Sequence, residues 1–366
     1  MNLKRLDPFL FVSVISFIIL LYSYTIQVQS SLMLACITFF LMTSILASVH
    51  HAEIIAEQVG ESLGTLILAL SVTVIEVGLI ISLMSTHGPD SAFVARDTVF
   101  SAIMIVCNGI VGLSLVLGGL RYKEQGFRVD GSASLLIVLI ALSALTFVLP
   151  SFTSTTLGPT YNPTQLIFVS IACVTLYFIF ILFQNKTHKD YFESDRKMNT
   201  ATSATKPTQH DLKKSLPTII THFIAMTLSL ISVIGLAKLI SPTLETFLTD
   251  MGAPKATVGI IIAAIVLLPE TWAAVKAARE NRLQASLNLA LGSGIASIAL
   301  TIPAVGIFSL VTHQDLALGL EGKGLVFLLT TFLIGSISLA SGKSTALQGF
   351  VHIVILASYF VMALIP

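Results

Sequence analysis

Eleven stretches of this 366-residue chain are each long and apolar enough to cross a bilayer as a helix, which takes about 20 mostly apolar residues. They run near 9–28, 31–52, 62–85, 97–119, 132–150, 164–184, 216–240, 254–276, 285–311, 322–341 and 345–365. Inside lipid a backbone must satisfy its own hydrogen bonds, so spans of this length fold as helices. The expected fold class is all-α: a polytopic membrane protein of about 11 transmembrane helices. Only 11% of the residues are charged, too few to coat soluble domains of this size. A net charge of +1 offers no basic field for nucleic acid. Cys36, Cys107 and Cys173 lie in apolar runs, as small hydrophobes rather than a disulfide framework. The first run exceeds a signal-peptide core, and Val28-Gln29-Ser30 is a poor cleavage site, so an uncleaved helix is expected.

One stretch interrupts the pattern. Lys186 to Ser215 is rich in Thr, Ser, Lys and Asp and suits a flexible linker. The expected organisation is a first helix over 1–30, a five-helix repeat over 31–185, a cytoplasmic linker over 186–215 and a second five-helix repeat over 216–366. Lys and Arg set the orientation. With the N-terminus inside and eleven spans alternating, all but Arg96, Lys238, Lys255 and Lys323 of the 20 basic residues fall on cytoplasmic segments. This places the N-terminus and linker in the cytoplasm and the C-terminus on the opposite side of the membrane.

Five spans per repeat make the two copies inverted, an arrangement common in secondary transporters. The sequence carries weak internal symmetry. Residues 52–61, AEIIAEQVGE, precede a span whose core ends in VTVIE; residues 244–253, LETFLTDMGA, precede one ending in VLLPE. Glu53 stands seven residues before Gly60, and Glu245 seven before Gly252. Further on, Asn108-Gly109 and Ser293-Gly294 occupy matching places. The expectation is a 5+5 inverted repeat after one extra helix.

A charged side chain in mid-membrane costs about 2.5–3.5 kcal/mol on insertion scales. Of the 19 acidic residues, Glu76 and Glu270 alone fall deep inside apolar runs. At 1.5 Å per residue both sit roughly 20–25 Å into their spans. A protonated Glu making an interhelical hydrogen bond is the structural alternative. Two such residues at matching points of a repeat favour function. Ionised, the pair matches one divalent cation; protonated, it is neutral. Burial and mutual repulsion both raise carboxyl pKa values, so protons and cation compete for the same oxygens and the pair titrates as a unit. That is the chemistry of an antiporter.

Two carboxylates cannot complete a calcium shell of about six to eight oxygens. Thr73, three residues before Glu76, shares its helical face. Asn108 and Ser293 are further candidate ligands. Pro269 has no N–H and should release the carbonyl of Ile265. Gly109, Gly112, Gly292 and Gly294 should let their helices approach neighbours closely.

Together these residues resemble the calcium/proton exchanger family of the calcium/cation antiporter superfamily, and within it the bacterial sodium-potassium/calcium–proton antiporter branch. The likeness covers about residues 31–365. Family members carry Gly-Asn-x-x-Glu twice, and the Glu positions match Glu76 and Glu270. A Gly-Ser element 23 residues after the second Glu matches Gly292-Ser293, and an acidic helix start matches Glu53. The resemblance implies ten core helices in two inverted units with the cation site between them. It departs at Val72-Thr73 and Val266-Leu267, where the family has Gly-Asn. Fewer oxygens there open the site to monovalent cations.

Glu53 and Glu245, at opposite faces under this topology, could draw cations to the two entrances; Glu57, Glu61 and Asp250 reinforce them. Interfacial charge in contact with water is the simpler reading. Ser341-Gly342-Lys343-Ser344-Thr345 lacks the upstream Gly and the strand of a phosphate loop. His50-His51 reads as a polar pair at a membrane boundary rather than a metal or pH site, and His222 and His352 as interhelical hydrogen-bonding groups, with a minor proton relay as the alternative. An intramembrane enzyme would need a paired Asp or a nucleophile–base couple, and a channel a filter or pore ring. The expected activity is Ca²⁺/H⁺ exchange exporting Ca²⁺, with Na⁺/H⁺ or K⁺/H⁺ antiport as the alternative. Lipid is the expected surroundings, and no soluble cofactor is implied.

Overall fold

The structure is a computed structural model that describes residues 7–25, 31–59, 61–85, 88–192, 216–250, 252, 254 and 256–365. Gly60 and residues 193–215 of the expected linker lie outside the described residues, as do the side chains of Glu61 and Glu245.

Helices dominate. In chain order they are α1 (Pro8–Thr25), α2 (Ser31–Val59), α3 (Glu61–Met84), α4 (Val94–Met104) and α5 (Val111–Tyr122). There follow α6 (Val129–Ser143), α7 (Pro163–Leu182), the short α8 (Lys189–Phe192) and α9 (Leu216–Asp250). The last are α10 (Ala256–Val266), α11 (Leu268–Arg279), α12 (Leu283–Ala296), α13 (Ile302–Thr312), α14 (Gly322–Ala340) and α15 (Ala346–Leu364). A π turn, Ile105–Ile110, joins α4 to α5, and another, Ser297–Thr301, joins α12 to α13, so each pair forms one long rod. Among the described residues nine helices are long and apolar enough to cross a membrane. The pair α10–α11, bent by 54°, makes a tenth if taken as one span, and the apolar stretch of α3 is Ala69–Met84. The chain is an all-α, multi-pass membrane protein.

Two helices outrun their expected spans. α2 continues through Glu53 and Glu57 to Val59, and α9 continues through Glu245 to Asp250. Apolar length marks where a helix is in lipid, not where its hydrogen-bond ladder ends. The C-terminal turns of both are acidic and carry no basic residue, which runs against the helix dipole.

Contacts divide the chain into two compact units, Met1–Gly88 with Lys206–Asp250 and Pro89–Thr205 with Met251–Pro366. The first packs α1, α2, α3 and α9. Its polarity is that of a membrane bundle. On α1, Ser13, Ser16, Leu20 and Ser23 turn inward, while Phe11, Ile18, Leu21 and Tyr22 are exposed. Association in lipid has no hydrophobic drive, so small and hydroxylated residues make the helix contacts. Gly235 and Gly78 show the same logic. A methyl group on Gly235 would lie 2.4 Å from Leu20, and one on Gly78 would lie 2.5 Å from Ile234.

In the second unit the rod α4–α5 is almost wholly buried. Around it pack α10 on α4, α11 and α15 on α5, and α12 on α6. Two-residue strands, β1 (Gln125–Gly126) and β2 (Lys343–Ser344), clip the loops after α5 and α14 in antiparallel register. The first residues of the expected linker fold here. Arg128 donates to the carbonyl of Asp190 at 2.7 Å, and Asn288 to that of Phe192 at 2.7 Å.

Candidate cation-binding site

Within the first unit, α3 carries Glu76 and Thr73 one turn apart, both buried, with Glu76 only 5% exposed. The Thr73 hydroxyl donates to the carbonyl of Ala69 at 2.8 Å. That bond uses its hydrogen, so the Thr73 oxygen has only acceptor capacity left. Gly78, two residues beyond Glu76 on the same helix, seats Ile234 and holds α3 against α9.

The second unit holds Glu270, Asn108 and Ser293. The span bearing Glu270 breaks at Leu267, whose φ −85°, ψ 1° leaves the helical region. The break follows the sequence: Pro269 can offer no N–H to Ile265, so α10 ends and α11 begins with Pro269 and Glu270 in its first turn. A carboxylate there faces the positive end of the new helix dipole. The carbonyl of Ile265 meanwhile loses its ladder donor, while that of Ala263 still accepts from the Leu267 amide at 3.0 Å. The half-helix α10 is pinned to α4 by Gly259, where a methyl group would sit 2.9 Å from the backbone of Asp97 and Thr98.

Asn108 is fully buried in the π turn of the α4–α5 rod. Its amide donates to Thr331 Oγ1 at 2.8 Å, and its Oδ1 lies 3.0 Å from His352 Nδ1. His352 Nε2 is 3.2 Å from Ser338 Oγ. His352 is thus an interhelical hydrogen-bonding group, as its setting in the sequence suggests. Ser293, half-buried, lies on α12, which packs against both α11 and the π turn. Gly294 makes that approach close, with a methyl group there 3.3 Å from Val106. Gly112 does the same for α15, against Gly349. Gly292 does not: a methyl group there would meet nothing within 4 Å. The elements bearing Glu270, Asn108 and Ser293 therefore pack on one another, and Thr73 and Glu76 share one helix. Glu53 is exposed near the end of α2, and Glu245 lies near the end of α9.

Thr331 and His352 were missed as partners of Asn108, since more than 200 residues separate Asn108 from each of them. A half-buried ion pair was also missed. Arg96 Nε donates to Asp97 Oδ1 at 2.8 Å at the start of α4. It borders a cavity of about 210 Å³ that Glu321, Lys323 and Tyr359 also line.

A broken membrane helix, a carboxylate beside the break and a second carboxylate buried in another span are features of the secondary-transporter class. A family model described as sodium/calcium exchanger protein matches residues 9–186 and 221–365. The chain belongs to that family. It is 42% identical over 323 residues to a protein of Sinorhizobium fredii described as an ionic transporter, covering 88% of this chain and 86% of that one. It is 33% identical over 319 residues to the sodium-potassium/proton antiporter of Escherichia coli, covering 87% and 85%. The fold is similar to a crystal structure of the selenium-substituted Ca²⁺/H⁺ antiporter protein YfkE, at TM-score 0.71 and 16% identity, over 98% of this chain and 100% of that one.

Proposed function

We propose that the chain is a cation/proton antiporter that exchanges Ca²⁺ for H⁺ and exports Ca²⁺, with Glu76 and Glu270 binding cation and protons in alternation. The observation that carries the reading is Glu270 in the first turn of the half-helix that Pro269 starts. A cation there would find a carboxylate and the carbonyl end of α10 together, the donor types that discontinuous helices use for ions. Glu76, in an apolar span, is the second carboxylate of the pair. Ionised, the two balance one Ca²⁺; when the cation leaves, burial favours protons in its place. Thr73, Asn108 and Ser293 serve as supporting oxygens, and Glu53 and Glu245 concentrate cations at the two entrances. Two protons per Ca²⁺ would be electroneutral, and three would move one net charge, worth about 2.3 kcal/mol per 100 mV. The distribution of basic residues supports an N-terminus in the cytoplasm and a C-terminus in the periplasm, and the bacterial relatives support a bacterial inner membrane.

A second reading, Na⁺/H⁺ or K⁺/H⁺ antiport, rests on Leu267. It adds no side-chain oxygen next to the break, and the Escherichia coli relative is named for sodium and potassium.

The deciding experiment uses everted membrane vesicles with a preset pH gradient. Ca²⁺, Na⁺ and K⁺ are added in turn to wild type, Glu76→Gln and Glu270→Gln. Dissipation by Ca²⁺ that either substitution abolishes is the expected result. A response to Na⁺ or K⁺ alone transfers the mechanism to monovalent cations. Exchange by both variants at the wild-type rate overturns the assignment of the two carboxylates.

A further inference from the structure

Three chemically matched groups converge in the first unit, on residues the exchange reading does not use. Asp7 precedes α1, His51 lies on α2 and His222 on α9. One ligand atom from each lies within 4.8 Å of the other two. Both imidazoles are buried, His51 completely. We propose that Asp7, His51 and His222 form a binding site for a divalent transition-metal ion of the zinc class, separate from the carboxylates of the transported cation.

Hydrogen bonding fixes how the imidazoles are presented. The Ser13 hydroxyl donates to the carbonyl of Phe9 at 2.9 Å. Its oxygen accepts from Ser229 at 2.8 Å and lies 3.0 Å from His51 Nε2. With its one hydrogen committed to Phe9, Ser13 can only accept from His51, so His51 Nε2 carries the ring proton. His51 Nδ1 then presents a lone pair, which is the tautomer that metal ligation needs. That lone pair faces His222 Nδ1 at 2.9 Å. One proton joins the two nitrogens, and a metal ion would replace it. Tetrahedral zinc with bonds of about 2.0–2.1 Å sets its ligand atoms about 3.3 Å apart, so the rings need part by only a few tenths of an ångström.

Asp7 is held ready. Its Oδ1 accepts from the Phe9 amide at 3.0 Å, and its Oδ2 lies 2.9 Å from His50 Nε2. Metal-binding carboxylates are commonly steadied by such partners. The Asp7 side chain is 20% exposed, which gives an ion a way in. Two imidazoles and one carboxylate select zinc-like ions over Ca²⁺, which wants about six to eight oxygens. Bound metal would tie α1, the helix outside the expected repeat, to α2 and α9.

The test is a Co²⁺ titration of the purified full-length protein in detergent, with excess Ca²⁺ present to occupy hard-oxygen sites. The expected result is one Co²⁺ per chain with tetrahedral visible absorption, displaced by Zn²⁺. His51→Ala and His222→Ala each remove the band, and Ser13→Ala weakens Co²⁺ affinity by about 10–100-fold. His50→Ala, which loses a partner of Asp7 but no imidazole ligand, keeps the band at an affinity weakened by about 10–100-fold. No tetrahedral band in wild type, or a band that survives both His51→Ala and His222→Ala, overturns the proposal. Should the alanine variants not fold, wild type alone decides: Zn²⁺ raises its Tm if the site exists, and an unmoved Tm overturns it.

Discussion

Asn108 Oδ1 and His352 Nδ1 lie 3.0 Å apart, joining the π turn of the α4–α5 rod to α15. Neither side chain reaches solvent, and the Asn108 amide is bonded to Thr331 on α14 at its other end. The carboxamide is thus fixed in one orientation, with one lone pair of Oδ1 left for another partner.

His352→Leu removes that fixing bond and leaves two buried oxygens, on Asn108 and Ser338, without their ring partner. The expected cost is about 1–3 kcal/mol for each buried polar group left unsatisfied. It is read as a lowered Tm of the detergent-purified protein. Cation affinity falls as well if Asn108 is a ligand. His352→Gln, which can still donate to Asn108, recovers part of both.

Gly349→Ala and Gly292→Ala differ in outcome although both add one methyl group. At Gly349 the methyl meets the Gly112 carbonyl oxygen and the Val116 amide nitrogen, each at 2.6 Å. Both are backbone atoms with nowhere to yield, so α5 and α15 must separate. Loss of monodisperse protein on size-exclusion chromatography is expected. At Gly292 nothing stands within 4 Å, and normal yield and exchange are expected. Equal behaviour of the two would contradict the described α5–α15 crossing.

Pro269→Ala supplies the N–H that Ile265 lacks. The α10–α11 break then has a route back to continuous helix. Pro already occupies a favourable position in the first turn of α11, so stability should change by about 1 kcal/mol or less. Exchange should slow more than stability changes, because Glu270 no longer stands beside a helix end. Denaturation midpoints and vesicle flux measured on the same preparation separate the two effects.

Glu53→Gln and Glu245→Gln should each raise the cation concentration needed for half-maximal exchange, one from each side of the membrane. The effect should be largest at low ionic strength and shrink as salt shortens the screening length to about 8–10 Å. Unchanged affinity from both faces for both variants would reduce these carboxylates to ordinary interfacial charge.

Nine of the eleven expected spans coincide, among the described residues, with helices long and apolar enough to cross a membrane, because apolar length is a direct physical requirement of the bilayer. The released carbonyl of Ile265 was legible in Pro269, but the 54° bend that divides the eighth span was not, since one missing donor does not fix how far the helix turns. Close contacts at Gly112 and Gly294 followed from helix association in lipid, but the open space at Gly292 shows that a glycine does not name the face it presents. The π turns were not legible. They change which carbonyl an amide chooses, and no residue type in Ile105–Ile110 or Ser297–Thr301 demands that choice. Nor could His222 be matched to His51 across 171 residues, because ligand spacing on one helix says nothing of a ligand on another.

The two rods, α4–α5 and α12–α13, each carry their π turn near the middle. A π turn spends one residue more than an α turn on the same closure. Each rod therefore carries one residue more than its geometry counts, and the apolar period of the sequence shifts by one across the turn. Removing that single residue at the turn would restore a uniform helix and leave the faces beyond it where they are, whereas removing one from the α-helical part of either rod would swing everything beyond it by about 100°. In these rods the turn is the one place where length can change without rotation.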